Sequence, residues 1–70
     1  MAGTAGLIEK DGTVIVHTEG KPSQIVYIDD DTKIIRNGKP AVLGDLKSGD
    51  RVKAVVGAMR KALEFSAEGP

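Results

Sequence analysis

Seventy residues accommodate one domain, read here as a single small β-barrel over residues 1–70 with its core at about 6–67. Ten Lys+Arg balance ten Asp+Glu, which removes the generic electrostatic argument for a polyanionic partner, and the absence of Cys excludes disulfides, thiolate metal sites and thiol nucleophiles. With 40% hydrophobic, 3% aromatic and 29% charged residues, the chain is composed for an aliphatic core rather than for disorder.

The apolar runs follow a period of two, so the chain reads as strands between Gly- and Pro-marked turns. Gly6-Leu7-Ile8-Glu9 and Thr13-Val14-Ile15-Val16-His17-Thr18 flank Asp11-Gly12, a hairpin signal because a type I′ turn needs positive φ. Gln24-Ile25-Val26-Tyr27-Ile28 is almost continuously apolar, which predicts a central strand covered on both faces and ending at Asp29-Asp30-Asp31-Thr32. Lys33-Ile34-Ile35-Arg36 is a short fourth strand stopped at Asn37-Gly38, after which Pro40 is expected to keep the chain from pairing at once. Leu43 and Leu46, at i and i+3, predict one helical turn that plugs an opening in the sheet. Arg51-Val52-Lys53-Ala54-Val55-Val56 turns Val52, Ala54 and Val56 inward, and residues 61–67 turn Leu63, Phe65 and Ala67 inward; a helix over 58–68 is the competing reading. The expected fold class is all-β: a five- to six-stranded antiparallel barrel, OB-like or SH3-like, whose closure removes exposed edges.

The stretches Asp11-Gly12-Thr13-Val14, Ile25-Val26-Tyr27-Ile28-Asp29 to Ile34, and Asp45-Leu46-Lys47-Ser48-Gly49-Asp50-Arg51-Val52 follow a D-G-x-x-V, D-x-x-T-x-I, D-L-x-x-G-D-x-V pattern. In this the chain resembles a bacterial family of small OB-like β-barrel domains of unknown function, often found in exported proteins. The resemblance covers residues 6–67 and rests on turn and strand positions; residues 57–61, with Met59 and two cations, depart from the acidic or glycine-rich turn expected there. It implies a binding or scaffolding role, an exported or periplasmic location and no catalytic residue. The amino terminus, Met1 to Gly6, has neither the charged nor the apolar region of an export signal, which leaves a cytoplasmic protein and a mature or excised domain as alternatives. No stretch is apolar enough to span a bilayer, so no membrane span is expected.

His17 is the one histidine; paired with Met59 it resembles part of the copper site of periplasmic OB-fold carriers, but those use a Trp that this chain lacks, and a solvent-facing strand histidine is the simpler reading. Asp29, Asp30 and Asp31 lack the spacing of an EF-hand loop and read as a strand-ending turn, as does Asp50. Residues 33–61 concentrate eight cations (Lys33, Arg36, Lys39, Lys47, Arg51, Lys53, Arg60 and Lys61) against Asp45 and Asp50. That excess, with Tyr27 as a stacking platform and Phe65 more suited to the core, defines the alternative reading, an OB-type binder of single-stranded nucleic acid. Without a nucleophile motif, phosphate loop or spaced acid–base pair, the leading expectation is a non-enzymatic binding, adaptor or structural module with no cofactor and no metal. A protein partner is expected to add a strand to an exposed edge between the Leu43–Leu46 turn and the last hairpin, which Pro40 and the short fourth strand mark as incompletely paired, and self-association of the chain is a further reading.

Overall fold

Gly12, at φ +98, reverses the chain between β1 (Ala2–Ile8) and β2 (Thr13–His17) in the computed structural model, which describes residues 1–70. The same turn holds the end of β3 (Gln24–Tyr27), because Ile28 N–H donates to the Gly12 carbonyl at 2.8 Å. β2 pairs antiparallel with both neighbours, matching Leu7 with Ile15 and Ile15 with Ile25. β1 starts at Ala2 rather than at Gly6 because residues 2–4 pair with the start of β6 (Arg51–Val56), a partner too distant in the chain to leave a local signal. A register shift between Ala5 and Leu7 then turns Ala5 into the core and Leu7 out of it.

Asn37 and Gly38, both at positive φ (53 and 79), join β4 (Lys33–Arg36) to β5 (Lys39–Pro40). Pro40 therefore does pair, opposite Ile35, but the ladder lasts only two residues and ends the sheet. Leu43–Asp45 forms the expected 3₁₀ turn, in which the Asp45 carboxylate accepts from Val42 N–H at 3.1 Å and Leu46 plugs the core. A second 3₁₀ turn, Ala58–Arg60, links β6 to β7 (Ala62–Glu68), so the competing 58–68 helix is confined to a single turn. β7 runs antiparallel to β6 and parallel to β4, with Phe65 beside Ala54 and Ile34.

The strand order is β3-β2-β1-β6-β7-β4-β5, a seven-stranded mixed sheet. This corrects the five- to six-stranded antiparallel expectation. The sheet is open, with β3 and β5 at its ends, and the β4–β7 pair is parallel. A parallel pair joins distant segments through a crossover and has no turn signature of its own, so periodicity could not reveal it. A bridge between Tyr27 and Lys61 brings the end of β3 to the start of β7.

β3 is likewise an end strand and not a central one: Val26 is fully buried, while Ile25 and Tyr27 face outward, 38% and 45% exposed. Within β7, Ala62, Phe65 and Ala67 point inward and Leu63 is 51% exposed, because the register shift at Val55/Val56 displaces the alternation. The core is a cluster of 11 residues around Phe65, Val14, Val16 and Val26, against which Ile8, Ile34, Leu43 and Val56 pack.

Candidate interaction face

Three of the expected cationic contacts are already engaged. Arg36 makes a two-pronged bond to Asp50, Nε to Oδ2 at 2.9 Å and Nη2 to Oδ1 at 3.0 Å, and also donates to the Pro70 carbonyl at 3.1 Å. Asp50 is only 2% exposed and also accepts from Lys47 N–H at 3.1 Å. The guanidinium hydrogen bonds hold the Asp50 carboxyl below its ordinary pKa against the opposing cost of burial, and Asp50 in turn raises Arg36. Lys61 reaches Asp29 at 3.0 Å and Asp31 at 3.5 Å, lowering Asp29 and raising its own pKa through that contact. Arg51 pairs with Glu68 at 3.6 Å where both side chains are more than two-thirds exposed, a geometry that contributes little.

The remaining cations are dispersed. Lys33, opposite Glu64, and Lys53 border a shallow groove of about 310 Å³ on the outer side of β4, β6 and β7. Lys39 projects from the terminal strand β5, Lys47 follows the first 3₁₀ turn, and Arg60 is exposed on the second. Tyr27 stands on β3, beside Lys61 and away from the Lys33–Lys53 groove. The fold thus brings Lys33 and Lys53 to one groove and sets Tyr27 beside Lys61.

The triple-Asp segment is a turn, as expected. Asp29 accepts from Asp31 N–H at 2.9 Å, Thr32 Oγ1 accepts from Asp29 N–H at 3.1 Å, and Thr32 Oγ1 donates to the Ala62 carbonyl at 2.7 Å, fastening the turn to β7. His17 faces outward, hydrogen-bonds through Nδ1 to Ser23 Oγ, and lies across Gly6 so closely that a Cβ there would meet its Nε2 at 2.2 Å. Met59, 90% exposed beside β3, is separated from His17 by that strand. Asp50, read as a turn residue, closes the turn through its N–H to Lys47 O at 3.1 Å and is in addition the buried partner of Arg36.

What the strands do assemble is an outward apolar row. Leu7, Ile15 and Ile25 are direct cross-strand partners on β1, β2 and β3; Leu7 is 49% exposed, and Tyr27 stands next to Ile25 on the same side. The second 3₁₀ turn runs alongside β3 and carries Met59 at its rim. Two positions along from the row come Glu9, whose N–H donates to Thr13 O at 2.8 Å, and the Thr13–Tyr27 pair; Asp11 and Asp29 follow just past the Gly12–Ile28 contact.

The row was not singled out among the sequence candidates, though its signal was present. Thr-Val-Ile-Val-His and Gln-Ile-Val-Tyr are apolar in both phases of the strand repeat, so with Val14, Val16 and Val26 committed to the core, Ile15 and Ile25 must face the other way. Comparison with protein-family models, with curated proteins and with solved structures gave no match for this chain.

Proposed function

We propose that the chain is a non-enzymatic binding module of OB-like build that takes a protein partner on the outer face of β1, β2 and β3. The carrying observation is the apolar row Leu7–Ile15–Ile25, paired across three strands and turned away from the core. A contiguous apolar patch on so small a surface costs solubility, which favours a partner that covers it. The OB-like reading is supported by β1 pairing with both β2 and β6, by the parallel β4–β7 pair, and by the Tyr27–Lys61 bridge from the end strand β3 to the start of β7. It also accords with the resemblance to small bacterial barrel domains. The non-enzymatic reading is supported by the occupations of the groups with displaced pKa values: Asp11 holds Thr13 N–H, and Asp29, Asp50, Arg36 and Lys61 hold one another in ion pairs.

Polar substitution separates a binding row from a structural one. Leu7→Ser and Ile25→Ser are expected to change stability by about 1 kcal/mol or less, as for surface positions, and to raise solubility. Loss of the cooperative thermal transition in both variants would assign the row to folding instead. A titration with a labelled single-stranded oligonucleotide at low salt, run in parallel, is expected to give no saturable binding; binding released by added salt would favour the nucleic-acid alternative.

A further inference from the structure

We infer that the partner segment taken by this face is extended and combines an apolar side chain with a Lys or Arg two or four positions along, an inference that rests on the docking face proposed above. The apolar row does not lie in neutral surroundings. At its turn end stand five carboxylates, Glu9, Asp11, Asp29, Asp30 and Asp31, against the cations Lys10, Arg60 and Lys61, and Lys61 is held by Asp29 and Asp31. At its other end, His17 is bonded to Ser23, and Glu19 offsets Lys21. The face is therefore polarised along its strands, apolar at the centre and acidic toward the β1–β2 turn.

The spacing follows from strand geometry. Glu9, whose N–H bonds Thr13 O just past the end of β1, continues the outward phase two residues beyond Leu7, about 7 Å along, and Asp11 stands beyond it in the turn, where its carboxylate accepts from Thr13 N–H. An extended partner shows alternate side chains to one face, so a residue covering Ile15 has its neighbours at two and four positions on the same side, in reach of Glu9 and Asp11. Charge complementarity at this end also sets the partner's direction, because the reversed orientation moves its cation to the end where Glu19 is already offset by Lys21.

Random twelve-residue peptides selected on the immobilised 70-residue chain, with counter-selection on Ile25→Ser, test the inference. The expected peptides pair an aliphatic or aromatic residue with Lys or Arg two or four positions away. They bind the parent at least tenfold more tightly than Ile25→Ser or Leu7→Ser, and at least threefold more tightly than a Glu9→Gln, Asp30→Asn variant. Peptides that discriminate against Ile25→Ser but show no enrichment of basic residues would overturn the charge inference and leave the docking face standing. Peptides that bind parent and Ile25→Ser equally would overturn the face itself. A concentration-dependent dimer in sedimentation that dissociates in Ile25→Ser would assign the face to a second copy of the chain and overturn the basic partner.

Discussion

Gly12 and Gly49 hold nearly the same backbone angle, φ +98 and +95, but a Cβ at Gly12 would lie 2.1 Å from the Ile28 carbonyl oxygen, whereas one at Gly49 would meet nothing within 4 Å. Alanine at Gly49 therefore brings the left-handed backbone penalty alone, about 1 kcal/mol. At Gly12 the same penalty is joined by a collision with backbone that also breaks the Ile28–Gly12 hydrogen bond, and the loss is expected to exceed about 3 kcal/mol. Chemical denaturation of the two variants checks this, and equal midpoints would contradict it. The turn roles of both glycines were readable from Asp11-Gly12 and Ser48-Gly49, but the close approach of Ile28 was not, since it depends on how β3 seats against the hairpin.

Asp50 carries the second prediction at this scale. Its folded pKa lies below the ordinary value of 3.8, chiefly through the Arg36 hydrogen bonds, so the folded state binds protons less readily than the unfolded one. The resulting stability is complete above about pH 4 and is lost as pH falls through the lower folded value. Asp50→Asn is expected to be less stable than the parent at pH 7, to lose less on acidification below pH 4, and so to converge with the parent there; Asp11 and Asp29 supply the slope that remains. Parallel stability curves between pH 2 and 6 would show that the pair does not contribute in this way. The acid itself was visible as a turn residue, yet its burial was not, because that depends on Arg36 arriving 14 residues away in sequence from a strand whose alternation says nothing about the partner.

Among the elements, the second 3₁₀ turn departs most from local rules. Met59 and Arg60 are consecutive non-glycine residues at φ 56 and 61, and Met59 is 90% exposed, so the strained backbone gains no burial in return. The turn is held by Gly57 N–H to Lys61 O at 2.8 Å and by the ion pairs of Lys61 with Asp29 and Asp31. Arg60→Gly is expected to leave the melting temperature unchanged or to raise it by a few degrees, since relief of strain of about 1–2 kcal/mol offsets the greater unfolded-chain freedom of glycine. A clear fall in the melting temperature would mean that the Arg60 side chain makes a stabilising contact. Strands β2 and β6 follow their alternation closely because each has one buried phase, whereas register shifts displace it in β1 and β7. β3 was misplaced to the centre because Ile25, Val26 and Ile28 look alike by composition, while only Val26 and Ile28 are buried.

For the whole molecule, the decisive quantity is how little interior it has: 13 of 70 residues are buried, and Phe65 is the largest side chain sealed inside, 1% exposed. Domains of this length hold roughly 4–10 kcal/mol of net stability. Removing the Phe65 ring costs about 3–5 kcal/mol, most of that margin, whereas replacing it by Leu keeps most of the volume. Phe65 also lies where β6, β7 and β4 meet, beside Ala54 and Ile34, so a cavity there weakens the antiparallel and the parallel ladder together. Phe65→Ala is thus expected to lose a cooperative thermal transition, and Phe65→Leu to retain one at a melting temperature lower by about 5–10 °C. If Phe65→Ala instead melted cooperatively within a few degrees of the parent, the sheet would be held mainly by its backbone ladders and by the Arg36–Asp50 pair.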